Sequence, residues 1–339
     1  MPAEWCPQEA VWLSWPCNKE SAPATYDALQ DKFGEIAAAI SRFERVRINA
    51  PAAQHHSIRL HIMDYEGELD QVALYDHPTN DVWCRDHGPI FVKHGETGKL
   101  SITDWQYNAW GGKFPPWDLD NQIPARIAEA LKLPSQSSKM ILEGGSIEVN
   151  GQGVLITTEA VLLNKNRNPD WTKAQIEAEL RRMLGVESIF WLGQGIAGDD
   201  TDGHIDDITR FVREDAVLTM VEASASDANY RTLEENKERL QDLRTRDGGS
   251  VTLIELEMPA PLIPKKKDWR LDRLPASYAN FLILNNAVLV PTFKQRKADK
   301  KALGVIADCF PGREVIGIEC QDLLFEGGAL HCISQQQPA

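Results

Sequence analysis

The segment 199–207 contains five aspartates and one histidine in nine residues. Carboxylates packed this closely repel one another, so the segment is either a solvated loop or a site whose charge is compensated by a metal ion or a cationic ligand. A calcium loop does not fit, because counting from Gly203 places Gly198 at the first ligand position and Thr209 where a bidentate glutamate belongs. A transition metal would need a second histidine or cysteine at ligand spacing, and none lies nearby.

Three further segments place reactive side chains next to turn-forming glycines. They are Trp-Cys-Arg-Asp-His-Gly-Pro at 83–89, Leu-Glu-Gly-Gly at 142–145 and Glu-Gly-Gly-Ala-Leu-His-Cys at 326–332. The first is either a surface ion pair at a strand end or a binding loop. The glycines after Glu143 either close a tight turn or aim a carboxylate at a pocket. Cys332 is either a small buried hydrophobic residue or a nucleophile.

A dinucleotide motif, Gly-x-Gly-x-x-Gly, occurs at 193–198. A strand is predicted before it, but the acidic segment that follows is a poor helix start and has the wrong charge to bind a pyrophosphate. The chain also has no Gly-x-x-x-x-Gly-Lys-Ser/Thr segment. We therefore predict no nucleotide site.

The elements that must position these side chains recur along the chain. Helical periodicity is clear around 29–43, 123–131, 176–184, 230–243 and 298–309. Four strand pairs lie between these helices, with turns near positions 97, 151, 214 and 286. Glu-Gly-Gly-Ser-Ile at 143–147 also reappears as Glu-Gly-Gly-Ala-Leu at 326–330. We predict one domain, residues 1–339, of about five hairpin-plus-helix units, whose ring is closed by the N- and C-terminal segments.

Such a ring would bring the unusual residues together. Each reactive segment precedes the first strand of a predicted hairpin, and pseudo-symmetry would aim these positions at one axis. The segment 275–280 has the equivalent place in the remaining unit. Asp86, Glu143, His204, Asp206 and Cys332 are therefore expected to converge on one pocket.

Composition limits the partners. The chain has 339 residues, 42% of them hydrophobic, and a formal net charge of −14. Such a surface repels phosphate backbones and anionic lipid, so we expect no nucleic acid and no membrane as partners but a small cationic ligand. The six cysteines show no metal or disulfide spacing, and the N-terminus no signal peptide, so we expect a cytoplasmic protein. The lysine run 265–267 is predicted to be solvated.

Six motifs taken in order resemble those of the agmatine deiminases, in the wider guanidino-group-modifying superfamily. They are 83–89, Asn-Ala-Trp-Gly-Gly-Lys at 108–113, 142–145, Asn-Lys-Asn-Arg-Asn-Pro at 164–169, 198–206 and His-Cys-Ile-Ser-Gln-Gln-Gln-Pro at 331–338. The resemblance covers nearly the whole chain. It implies an α/β fold, the fivefold pseudo-symmetric propeller called pentein, with the active site on the central axis. Two departures from the family pattern, at 328–330 and at Asp207, flank the chemistry and concern fine specificity.

The resemblance also implies roles. Asp86 and Asp206 would bind opposite edges of a guanidinium, because carboxylates accept paired hydrogen bonds from its N–H groups. Cys332 would attack the central carbon as a thiolate, and His204, oriented by Glu143, would protonate the leaving amine and then activate water. No metal and no organic cofactor is required by this chemistry.

Substrate binding involves three further residues. Asp200, four positions before the histidine, is the candidate acid for the far amine of agmatine. Trp83 and Trp110 are candidates to line the apolar part of the ligand, although Trp110 could equally be a core residue. A selective pocket would place no cation where the carboxylate of arginine would lie.

The predicted function is hydrolysis of agmatine to N-carbamoylputrescine and ammonia, which feeds putrescine and polyamine biosynthesis. The nearest alternative is the same chemistry on arginine or peptidyl-arginine. An amidinotransferase, a metal-dependent hydrolase built on the aspartates and a non-catalytic polyamine-binding protein are the others. The resemblance favours a homodimer.

Overall fold

The computed structural model describes residues 1–22, 24–264 and 270–339. The lysine run predicted to be solvated at 265–267 lies outside the described residues. None of the described helices has the length and apolar character needed to cross a membrane.

Short strands account for much of the described chain. They are β1 (Gln8–Ser14), β2 (Arg45–Ala50), β3 (Val72–Asp76), β4 (Ile90–Lys93), β5 (Leu100–Gln106), β6 (Ser135–Ile141), β7 (Ile147–Val149), β8 (Val154–Thr158), β9 (Ser188–Leu192), β10 (Thr209–Arg213), β11 (Ala216–Val221), β12 (Thr252–Glu257), β13 (Leu282–Ile283), β14 (Ala287–Thr292), β15 (Glu314–Glu319) and β16 (Ser334–Pro338).

The α-helices connect these strands, and several span a single turn. They are α1 (Tyr26–Ser41), α2 (His55–Asp64), α3 (Cys84–His87), α4 (Ala109–Gly112), α5 (Ile123–Leu131), α6 (Glu159–Leu162), α7 (Lys173–Leu184), α8 (Tyr230–Leu240), α9 (Arg296–Cys309) and α10 (Gln321–Leu324).

The strands of the described ranges form five small sheets that share one plan. In each, an antiparallel pair is followed by a helix and a strand that returns parallel to the second strand of the pair. The pairs β4–β5, β7–β8, β10–β11 and β13–β14 continue into β6, β9, β12 and β15. The hairpins and main helices predicted from periodicity are present.

The remaining sheet joins the two ends of the chain. β16 pairs antiparallel with β1, with Leu13 opposite Ser334, and β2 and β3 follow in parallel. It therefore repeats the plan of the other four sheets, with one additional strand. The predicted fold class, a pentein-type α/β propeller, is confirmed.

The helices bury one face and end at recognisable signals. In α1 the side chains of Leu29, Phe33, Ile36 and Ile40 are buried at helical spacing. Helix α7 begins at a capping box and ends at a glycine in the left-handed conformation. The buried faces pack the helices against the core, and the end signals fix where the chain leaves each helix for its strand.

Candidate active site

The reactive residues lie at equivalent places in the fold. Asp86 lies on α3, just before β4, and Glu143 lies just before the 3₁₀ turn that leads into β7. His204 and Asp206 precede β10, and Cys332 precedes β16. All five side chains are buried. Each residue that the sequence predicted to converge is therefore buried just before the first strand of its sheet.

Gly145 shows how close three of them are. A Cβ added to this glycine would lie 2.6 Å from His204 Nδ1, 2.9 Å from Asp86 Oδ1 and 3.1 Å from Asp206 Oδ2. Its backbone N–H also donates a hydrogen bond of 3.0 Å to Asp86 Oδ1. A larger residue would displace this cluster, so the glycine after Glu143 serves a close approach as well as a turn.

The nucleophile candidate faces the same cluster. The Cys332 sulfur lies 3.9 Å from Asp206 Oδ2 and 3.0 Å from the side-chain nitrogen of Asn280. Burial, followed by the charges of Asp206 and Asp207, raises the pKa of the Cys332 thiol well above its usual range. A cation bound beside these carboxylates would favour the thiolate.

His204 is poised to carry a proton. Burial lowers its pKa, but the charges of Asp86, Asp206 and Glu143 outweigh burial and raise the pKa above the ordinary value. Its Nδ1 lies 3.7 Å from Asp86 Oδ1, and neither ring nitrogen has a hydrogen-bond partner among the described residues. Burial also raises the pKa of Asp86 to about 6.

Glu143 has a partner that no sequence motif indicates. Its Oε1 accepts a hydrogen bond of 2.6 Å from Arg167 Nε, and both side chains are fully buried. It makes no hydrogen bond to His204, which it was expected to orient, and its Oε2 is unpartnered within the described ranges. Its influence on His204 is therefore electrostatic in this structure.

Asp206 is held by a buried chain that reaches the N-terminal segment. His331 Nδ1 lies 2.7 Å from Asp206 Oδ2, and His331 Nε2 lies 2.9 Å from Glu4 Oε2. Glu4 in turn accepts a hydrogen bond from Arg210. Although burial raises the pKa of Asp206, the hydrogen bond and charge of His331 outweigh it and lower the pKa. Asp206 is thus kept ionised.

The acidic segment 199–207 is compensated by cations rather than left as a solvated loop. Asp200 is ion-paired with Arg270, and Asp202 is paired with Lys113 and Arg167. Asp199 accepts hydrogen bonds within its own loop, including one from the His204 backbone N–H. Gly195 of the rejected dinucleotide motif packs here, since a Cβ on it would meet the Gly203 backbone at 2.2 Å.

A cavity of about 150 Å³ leads from the surface to Cys332. Trp83, Trp110 and Phe114 line it together with Asp200 and Arg270. Trp110 adopts a left-handed backbone conformation and donates a hydrogen bond of 3.0 Å from Nε1 to Asp86 Oδ2. The cavity thus combines aromatic walls with the buried Asp86 carboxylate, which suits a cation on an apolar chain.

A divalent cation could be held at the same place. Within the described ranges, Asp206, Asp207 and Cys332 each offer a ligand atom, and these atoms lie within 4.8 Å of one another. The set is a thiol with two carboxylates, one of which, Asp207, has a pKa raised far above its usual value by burial and by Asp206. A protonated carboxyl is a poor metal ligand.

Comparisons with known proteins give the family. A curated agmatine deiminase of Medicago truncatula is 39% identical, over all of this chain and 96% of its own length. Among solved structures, agmatine deiminase of Enterococcus faecalis, described as catalysing its reaction, superposes with a TM-score of 0.92 at 32% identity, covering 100% of this chain and 95% of that one. A cysteine-to-serine variant of the C. jejuni enzyme with substrate bound gives 0.88 at 34% identity, covering 100% and 96%. Residues 1–338 match the Porphyromonas-type peptidyl-arginine deiminase family, and the chain belongs to that family.

Proposed function

We propose that the protein hydrolyses agmatine to N-carbamoylputrescine and ammonia. The observation that carries the proposal is the cluster around Gly145, where Asp86, Asp206 and His204 meet, together with the cavity that Asp86 and Cys332 line. A guanidinium placed there would pair its N–H groups with both carboxylates. The similarity to agmatine deiminases along the whole chain supports this substrate.

The first half of the reaction forms a covalent intermediate. The bound cation stabilises the Cys332 thiolate, which adds to the guanidinium carbon to give a tetrahedral adduct. His204, protonated because of the surrounding carboxylates, donates its proton to the departing nitrogen. The C–N bond breaks, ammonia leaves and an S-alkylthiouronium remains on the cysteine.

The second half regenerates the enzyme. Neutral His204 takes a proton from water, and the resulting hydroxide adds to the thiouronium carbon. The C–S bond then breaks, so the thiolate returns, and the carbamoyl oxygen gives up its proton to water as N-carbamoylputrescine is released. Every proton moves between His204, water and substrate, so the cycle requires no cofactor.

The residues at the far end of the cavity determine which guanidine substrate is bound. We propose that Asp200 receives the amine of agmatine and that Trp83 and Trp110 contact the carbon chain. In the structure Asp200 is already paired with Arg270, so the amine must compete with that guanidinium. The pair is about one third exposed, which limits its strength to roughly 1 kcal/mol or less.

Arg270 is also the observation that favours a second candidate function. A cation at this end of the cavity could receive the carboxylate of arginine, which agmatine lacks. Arginine or peptidyl-arginine deimination would use the same cysteine chemistry. The two functions therefore differ in the ligand of Arg270 and Asp200, not in the reacting atoms.

The test is ammonia release with agmatine and with arginine in parallel, with and without EDTA. We expect turnover of agmatine that is insensitive to EDTA and lost in Cys332→Ala, with a residual rate below about one thousandth of wild type. Cys309→Ala, at the end of α9 and outside the cavity, is the matched control and should keep wild-type activity. Turnover of arginine instead would establish the second candidate, and loss of activity in EDTA would establish a metal-dependent hydrolase.

We further propose that residues 1–339 act as one catalytic domain and that the protein is a cytoplasmic homodimer without nucleic acid as a partner. Free cysteines throughout the chain agree with a reducing compartment, and the net charge of −14 disfavours nucleic acid. Sedimentation equilibrium would give the number of subunits.

A further inference from the structure

Four of the five sheets supply the residues assigned above, and the fifth supplies Asn280. This residue lies just before β13, in the place that Asp86, Glu143, Asp206 and Cys332 occupy before their own strands. Its side chain is fully buried at the same centre. The pseudo-symmetry of the fold therefore aims a side chain from the fifth sheet at the reacting atoms.

Backbone donors determine which way the Asn280 amide points. Its Oδ1 accepts hydrogen bonds from the backbone N–H groups of His331, at 2.9 Å, and Cys332, at 3.3 Å. Backbone nitrogens can only donate, so the oxygen must face them and the NH₂ group must face the opposite way. That group lies 3.0 Å from Asp207 Oδ1 and 3.0 Å from Cys332 Sγ, one acceptor for each of its hydrogens.

The sulfur needs such a donor because burial and the neighbouring carboxyl groups oppose its ionisation. Burial is the largest cause that raises the pKa of Cys332, and the carboxyl groups of Asp206, Asp207 and Asp86 raise it further. The protonated imidazole of His204 and the substrate cation act in the opposite direction. The Asn280 amide adds a fixed dipole that is present before substrate arrives.

We propose that Asn280 is a catalytic residue whose side-chain N–H donates a hydrogen bond to the Cys332 sulfur and stabilises the attacking thiolate. The same side chain holds the backbone of the nucleophile in place through its oxygen. The proposal deepens the proposed function, since it names a further group that contacts the reacting atom. It requires no proton transfer by Asn280 itself.

The test measures the thiol directly and needs no substrate. The rate of Cys332 alkylation by iodoacetamide is followed against pH by mass spectrometry of the peptide that contains it. A hydrogen bond to a charged group is worth about one to two pKa units, so Asn280→Ala should raise the pKa of Cys332 by that amount. At neutral pH alkylation should slow about 3- to 15-fold, because the more basic thiolate is also more nucleophilic and offsets part of the loss.

Two further variants separate catalysis from local folding. Asn280→Asp keeps the oxygen that accepts from the backbone but removes the donor, and it should raise the pKa of Cys332 at least as far as alanine does. Ser277→Ala removes hydrogen bonds to Asp207 O and from Ala279 N in the same segment without touching the sulfur. It should leave the pKa of Cys332 unchanged even if it lowers the melting temperature.

An unchanged thiol pKa in folded Asn280→Ala and Asn280→Asp would overturn the inference, as would an equal shift in Ser277→Ala. If the Cys332 pKa shifts in the Asn280 variants but the wild type does not turn over agmatine, the role of Asn280 stands and the proposed function is wrong. If the wild type turns over agmatine but the Cys332 pKa does not shift, the proposed function stands and the role of Asn280 is wrong.

Discussion

Gly145→Ala adds one methyl group at the place where three functional side chains meet. The new Cβ would lie 2.6 Å from His204 Nδ1 and 2.9 Å from Asp86 Oδ1, whereas ordinary contacts begin at 3.4 Å. The φ angle of Gly145 lies outside the left-handed region, so alanine introduces no backbone strain of its own. The substitution therefore tests the contact alone.

The magnitude follows from these distances. The imidazole starts 2.6 Å from the new Cβ and must move away by about 0.8 Å to reach a separation of 3.4 Å. The Asp86 carboxylate, which starts at 2.9 Å, must move by about 0.5 Å. A misplacement of about 1 Å costs roughly 100-fold in rate when reacting groups must be aligned. We expect kcat/KM for agmatine to fall about 100-fold, with a loss of about 1–3 kcal/mol in the free energy of unfolding from overpacking.

The assay is ammonia release over a range of agmatine concentrations, with urea denaturation of the same preparation. Gly304→Ala is the matched control, because Gly304 lies on α9 with open space around it. That change should leave kcat/KM alone and stabilise the protein by about 0.5–1 kcal/mol. A kcat/KM within threefold of wild type in Gly145→Ala would refute the assignment of His204 and Asp86 to the reacting centre.

The other predictions use the same assay or a stability measurement. Burial raises the pKa of Asp86 to about 6, so its carboxylate becomes protonated as the pH falls through 6. Below pH 6, kcat/KM for agmatine should therefore drop about tenfold per pH unit, and a drop centred near pH 4 would contradict this. Arg270→Gln should lower KM for agmatine by up to about fivefold by freeing Asp200, whereas an unchanged KM would mean that the amine does not compete there. Glu4→Gln should lower the free energy of unfolding by about 3 kcal/mol in urea, because the buried Arg210 loses one of its two carboxylates; equal stability would show that the pair contributes nothing.

Local pattern and repetition made the fold accessible from the sequence. The hairpins around positions 97, 151, 214 and 286 have β-rich runs on either side of a polar or glycine-containing turn, and each is present. The main helices were predicted within a few residues. The short helices α4 and α10 could not be predicted, because Trp110 takes up a left-handed conformation that no propensity favours and α10 is a single turn.

The partners of the site residues were not predictable in the same way. Arg167 next to Glu143, Arg270 next to Asp200 and Glu4 beneath His331 are contacts between distant segments, and none forms a motif with its partner. Arg167 and Arg270 compensate carboxylates that the sequence showed only as an excess of negative charge. The sequence indicated Asn280 only as part of the segment 275–280, which has the same position in its repeat unit as the reactive segments have in theirs.

The strand pair β1–β16 affects how the molecule can become active. It brings Gln8 opposite Pro338, so nearly the whole chain forms the loop that this pairing closes. Closure of so long a loop costs entropy that the contacts must repay, and long-range strand pairing is slow to form. The strand that follows Cys332 is β16, so the nucleophile takes its place only when this pairing forms. During refolding, recovery of activity should therefore lag behind recovery of secondary structure measured by circular dichroism.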